Sequence, residues 1–349
     1  MSFMRKLLGR KTDDANQTES SPAEAETRRQ RSGQSDESPE AKDAGPSPQS
    51  GSGLVEFSDP PFPPDSADAG ASAPSLETGQ QEQAGDQTEL HVAGLRVGYA
   101  SDVGQLRTHN EDTLMAFQSV HLGDDAAGPL GFFVVTDGMG GHRAGEVASS
   151  LAARLVTHQV VKKVYLPFLL GETPGADMEP LTEILRNAVE QANNRVHERV
   201  PGGGTTLTCA LIMGRRAYIA HVGDSRAYLL TGYDMRQLTQ DHSFVNRLIE
   251  LGELSREEAA VHPQRHVLYR AVGQGDALDI DTYQQQLPPG SRLLLCSDGL
   301  SGQIPEEEIG KMIAVAATPQ QACQRLVEAA NLAGGPDNIT ALIIEVPSD

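Results

Sequence analysis

Three shortages bound what this 349-residue chain can be. Cysteine is scarce, with Cys209, Cys296 and Cys323 scattered and two of them in apolar runs. Such thiols suit neither a disulfide framework nor a zinc site; they fit reduced core thiols in a cytoplasmic protein. Positive charge is also scarce, since 28 Lys and Arg stand against 48 Asp and Glu, a formal net charge of -20. That balance argues against a nucleic-acid partner, because backbone phosphates are bound by Lys and Arg. Long apolar runs are lacking too: none reaches 18 residues, so no transmembrane segment is expected. The basic and apolar start, Met1 to Lys11, is too short for a signal peptide and reads as a charged flexible terminus. Gly-x-Ser-x-Gly, His-Glu-x-x-His and Cys-x-x-Cys motifs are absent.

Composition then divides the chain. Residues 1–88 are rich in Ser, Gln, Glu, Asp, Pro, Ala and Gly and poor in aromatic residues. Such a segment buries too little apolar surface to offset its ordering entropy, so a disordered acidic low-complexity tail is expected there. Residues 90–349 are enough for one substantial core.

Periodicity within 90–349 predicts strands near 95–100, 113–117, 131–136, 205–213, 217–222, 225–230, 282–287, 292–296 and 339–346. Longer helices are predicted over 144–161, 179–200, 305–317 and 318–333, the last opened by Thr318, Pro319 and Gln321 and closed by Gly334-Gly335. Residues 217–230, turning at Gly223-Asp224, read as a hairpin. Strands come in groups with helices in pairs between them, which points to an antiparallel α+β layered domain rather than alternating βαβ units.

What the chain holds in place of those motifs is carboxylates in similar settings. Phe132-Phe133-Val134-Val135-Thr136-Asp137-Gly138 and Leu293-Leu294-Leu295-Cys296-Ser297-Asp298-Gly299 each read as a buried strand delivering an Asp to a turn, and Pro336-Asp337-Asn338 adds a third turn acid. A turn Asp commonly hydrogen-bonds only its own backbone. Several such acids gathered at one sheet edge would repel one another and stay ionised by binding hard cations. Arg107-Thr108-His109-Asn110-Glu111-Asp112 holds a cation and two acids before a strand, as either a phosphate-gripping element or a solvated loop. Asp137-Gly138-Met139-Gly140-Gly141-His142 lacks the spacing of a dinucleotide loop, and His142 is either a general acid or a loop histidine. Asp224 is either a ligand or a turn residue. Oxygen-only ligands favour Mg²⁺ or Mn²⁺, and a pair of such ions suits phosphate hydrolysis.

In order, Arg107…Asn110-Glu111-Asp112, Asp137-Gly138-Met139-Gly140-Gly141-His142, Gly204-Thr205-Thr206, Val222-Gly223-Asp224-Ser225-Arg226, Asp241-His242, Ala271-Val272-Gly273, Ser297-Asp298-Gly299 and Pro336-Asp337-Asn338 resemble the landmarks of the metal-dependent protein phosphatases of the protein phosphatase 2C family, in their bacterial form. The resemblance covers about residues 93–346. It implies a four-layer α-β-β-α sandwich, two antiparallel sheets flanked by helix pairs, with a flap over 243–270. It implies two Mg²⁺ or Mn²⁺ ions, Asp137 bridging them, the Gly138 carbonyl on one, Asp298 and Asp337 on the other, and Asp224 with Asp298 on a weaker third. Glu111 and Asp112 would order metal-bound water, Arg107 would hold the substrate phosphate, and His142 would be the candidate acid. The family's animal members place a His two residues after the bridging Asp, where this chain has Met139.

The implied activity is hydrolysis of phosphoserine and phosphothreonine in proteins by a metal-activated water, opposing bacterial Ser/Thr kinases, by a cytoplasmic monomer. Two alternatives are a phosphatase dedicated to one regulatory phosphoprotein, such as an anti-sigma antagonist, and a non-catalytic relative that binds phosphoproteins.

Overall fold

Alternation along two strands sets the layers. In the segment 130–139 the even-numbered Phe132 and Val134 face one apolar cluster, while Phe133 and Val135 face another. In 292–296 Leu293 and Leu295 share that second cluster, and Leu294 and Cys296 face a third. Strands apolar on both faces are buried on both faces, so two sheets must pack together with a helical layer outside each.

The structure is a computed structural model that describes residues 94–119, 128–140, 143–171, 179–275 and 277–348. The expected tail over 1–88 lies outside these residues, as does His142. In chain order the elements are β1 (Arg96–Asp102), β2 (Asp112–Ser119), β3 (Leu130–Met139), α1 (Ala144–Val160), α2 (Leu166–Leu169), α3 (Leu181–Arg199), β4 (Gly204–Thr205), β5 (Leu207–Met213), β6 (Arg216–Val222), β7 (Arg226–Thr231) and β8 (Asp234–Gln237). There follow α4 (Phe244–Glu250), α5 (Arg256–Ala260), β9 (Asp281–Gln286), β10 (Arg292–Cys296), α6 (Asp298–Ser301), α7 (Glu306–Val315), α8 (Pro319–Leu332) and β11 (Ile339–Glu345).

One sheet runs β1-β11-β10-β7-β8, and the other β2-β3-β5-β6-β9, with β4 paired to β3. All pairings are antiparallel. Helices α1 and α3 cover the second sheet through Ala152, Val156, Leu185 and Val189, and α7 and α8 cover the first through Ile309, Ile313, Cys323 and Leu326. The core between the sheets holds Phe133, Ile219, Leu229, Leu295 and Leu342. This is the antiparallel α+β layered domain that the grouping of strands and helices indicates, in the four-layer form that the family resemblance implies.

Two expectations are corrected. Residues 217–230 are not a hairpin: β6 pairs with β5 and β9 in one sheet, while β7 pairs with β10 and β8 in the other. Gly223-Asp224-Ser225 therefore carries the chain between sheets. Both strands are central and nearly fully buried, so each is satisfied by other neighbours, which a local turn signal cannot reveal. Asp137 and Gly138 do not lie in a tight turn either. β3 runs on to Met139, and Gly138 pairs with Thr205 of β4.

Candidate active site

The acids meet where the strands of both sheets end. Asp112 opens β2 and stands opposite Asp137 of β3 in the ladder. Asp298 opens α6 directly after β10, Asp337 precedes β11, and Asp224 sits in the turn between sheets. Arg107, Glu111, Asp137, Gly138, Asp224, Asp298 and Asp337 all line one cleft of about 1190 Å³.

Hydrogen bonds hold the carboxylates individually. The Asp137 amide donates to Thr206 Oγ1 at 2.9 Å, and its carbonyl accepts from Thr205 Oγ1 at 2.9 Å and from the Thr206 amide at 2.9 Å. Asp112 Oδ2 accepts from Ser297 Oγ at 2.8 Å, which binds the start of β2 to the residue before Asp298. Arg107 Nη2 donates to Asp337 Oδ2 at 2.8 Å, while Asp337 Oδ1 accepts from the Asn338 amide at 2.8 Å. Asp112 Oδ1 and Asp298 Oδ1 are buried and have no hydrogen-bond partner. Among the described residues no group of three or more Asp, Glu, His or Cys side chains is placed to hold a metal ion by itself.

A family model, protein phosphatase 2C, matches residues 99–256. The serine/threonine phosphatase stp of Listeria monocytogenes is 36% identical over 253 residues, covering 71% of this chain and 94% of that protein. The chain belongs to the protein phosphatase 2C family. The protein phosphatase PhpP of Streptococcus pneumoniae is 35% identical over 257 residues, 72% of this chain and 98% of that one. The crystal structure of the Mycobacterium tuberculosis serine/threonine phosphatase PstP/Ppp superposes with a TM-score of 0.61 at 34% identity, over 72% of this chain and 99% of its own. The catalytic domain of serine/threonine protein phosphatase PstP in complex with two manganese ions gives 0.59 at 33% identity, over 73% and 99%.

The electrostatics of this phosphatase 2C domain follow from crowding buried like charges into one cleft. Burial, then the charges of Asp112, Asp298, Asp224 and Asp337, push the Asp137 carboxyl well above the usual range. Burial, then Asp298 and Asp241, do the same to Asp224. Burial pushes Asp112 up to about 7, against hydrogen bonds with Thr340 and Ser297 that pull it down. Glu111 is raised by burial, with Arg107 opposing. Left as they stand, these acids give up their protons less readily than isolated carboxyls. A cation among them reverses that preference.

Asp241 and His242, between β8 and α4, are engaged with neighbouring side chains. Asp241 takes a bidentate contact from the Arg226 guanidinium, with Nη2 at 2.7 Å. His242 is buried, accepting the Gly223 amide on Nδ1 at 3.1 Å and placing Nε2 3.3 Å from Asp281 Oδ2. Sequence reasoning passed over other residues that touch the acids. Thr205, Thr206 and Ser297 lie inside the motif segments, where adjacency to a glycine or an acid is their local signal. His266, between α5 and β9, whose Nδ1 is 3.5 Å from Asp298 Oδ2, carries no local signal at all.

Proposed function

We propose that this cleft hydrolyses phosphoserine and phosphothreonine in proteins, making the chain a metal-dependent protein-serine/threonine phosphatase that opposes Ser/Thr kinases. The observation that carries the reading is the meeting of Arg107 with Asp137, Asp224, Asp298 and Asp337 around one cleft in a chain of this family. A guanidinium beside acids offers a planar fork for phosphoryl oxygens.

The donor set suits divalent Mg²⁺ or Mn²⁺. It is all oxygen, one of its carboxylate oxygens, Asp298 Oδ1, is buried without a partner, and burial and then neighbouring charge raise the carboxyls of Asp137 and Asp224. Asp137, the Gly138 carbonyl, Asp298 and Asp337 would hold two ions, and Asp224 with Asp298 a weaker third. When bound they would supply a water of lowered pKa and positive charge against the phosphoryl oxygens.

The protein's own residues do the rest. Arg107 fixes the non-reacting phosphoryl oxygens. Glu111 and Asp112 orient water by accepting its hydrogens, and Ser297 holds Asp112 for that task. Thr205 and Thr206 fix the backbone of Asp137. His142 is the candidate for protonating the leaving serine or threonine oxygen. The three free, buried cysteines take no part and agree with a cytoplasmic setting. In this reading residues 90–349 form the catalytic domain, 243–270 the flap, and 1–88 the tail.

The test is phosphate release from a phosphothreonine peptide after chelation, with and without added Mn²⁺. Release that returns with Mn²⁺ is expected. Equal release in chelator overturns the reading.

A further inference from the structure

The loop that presents Arg107 has no secondary structure between β1 and β2, yet its guanidinium must stand at a fixed distance from Asp337. One side chain holds the loop at both ends. Asn338 is buried, at 3% exposure. Its Nδ2 donates to the carbonyl of Val103 at 2.9 Å and to the carbonyl of His109 at 2.9 Å. Its Oδ1 accepts the amide of Glu111 at 2.8 Å. Both amide hydrogens and the oxygen are thus spent on the loop 103–111, and Arg107 lies between the points of attachment. The backbone amide of Asn338 meanwhile donates to Asp337 Oδ1, whose other oxygen takes Arg107.

Backbone packing reinforces the clasp. The Gln105 amide donates to the Gly335 carbonyl at 2.7 Å. Gly104 has φ +81, and a Cβ there would fall 2.2 Å from the Asp337 carbonyl oxygen. The loop 103–111 therefore rests directly on the segment 335–338, with no side chain between the two backbones at Gly104.

We propose that Asn338 is a positioning residue that sets the reach of Arg107 toward the phosphoryl group, by clasping both ends of the Arg107 loop to the segment carrying Asp337. A carboxylate in its place could not donate to two carbonyls, and a shorter residue could not span them. The position therefore needs a primary amide. The inference rests on the phosphatase reading of the cleft.

The test is a double-mutant cycle on the full chain with a phosphothreonine peptide and Mn²⁺. Asn338→Ala should raise KM about tenfold, the scale of one misaligned charge-assisted hydrogen bond, with kcat changed less. In an Arg107→Ala background the same substitution should shift KM by less than about twofold, because the group it positions is gone. A merely structural role would lower the melting temperature and leave the two KM effects multiplying. Either that multiplication, or an unchanged KM in folded Asn338→Ala, overturns the proposal. Hydrogen exchange on the wild-type protein needs no variant. The Glu111 amide should be strongly protected, and exchange at the rate of a free loop would also overturn it. Failure of the phosphatase reading looks different, since the wild-type chain itself would then release no phosphate.

Discussion

A single carboxyl group, Asp137, gathers most of what is unusual in this molecule. It faces Asp112 across a ladder, lies under the influence of three further acids, and has its backbone fixed by two threonines. Asp137→Asn should keep the fold and lower kcat by at least about a hundredfold, the scale of losing one electrostatic stabiliser; steady-state turnover of a phosphopeptide measures it. Arg107→Ala should instead act mainly on KM, by about tenfold, because it removes a charge-assisted contact to phosphate. Asp112 makes a statement about pH. Its folded-state pKa of about 7 lies above the value near 3.9 of an unfolded chain, so the folded state binds more protons between those values. Its contribution to stability is therefore full below about pH 4 and is lost as pH rises to about 7. In chelator, thermal melts across that window should show the fall, and Asp112→Asn should make it shallower.

At the scale of elements, strand ends and helix starts are fixed by close backbone contact. Gly98 of β1 lies so near α8 that a Cβ would come 2.1 Å from the Gln320 amide nitrogen. The Gln320 side chain also accepts the Tyr99 amide at 3.1 Å and donates to its carbonyl at 2.9 Å, closing the outer edge of the sheet. Gly98→Ala should push α8 off the sheet and cost about 1–3 kcal/mol, read from denaturant midpoints. The cap of α8 shows what local rules capture. Thr318 Oγ1 accepts the Gln321 amide as expected, while the Gln321 side chain reaches Ala317 rather than closing the box on Thr318.

Over the whole molecule the two sheets serve one purpose, which is to bring acids from separate strands to one end. β3 supplies Asp137 from one sheet and β10 leads into Asp298 from the other, with Asp224 on the crossing between them. Stacked sheets stand about 10 Å apart, so acids at their ends are near enough to share ions. Ion binding should then stabilise the fold as a whole. Mn²⁺ at about a hundred times its dissociation constant should add about 2.7 kcal/mol, seen as a higher melting temperature that chelator reverses. No helix among the described residues is long and apolar enough to cross a membrane.

The sequence by itself determined the layers and the chemistry. Continuous apolar runs at 132–135 and 293–296 marked buried strands, paired helices between strand groups marked a layered α+β domain, and Asp137, Asp298 and Asp337 were legible because each ends an apolar run or opens a turn. Only the tertiary structure decided which strands are neighbours. Residues 217–230 carry the local signature of a hairpin, yet their two halves belong to different sheets, because burial and pairing of a central strand depend on partners far away in the chain. The same holds for Ser297 on Asp112, His266 beside Asp298 and Asn338 beneath the Arg107 loop. Their sequence separations from those partners run from 32 to 235 residues. A hydrogen bond is set by distance in space, and local pattern carries no record of it.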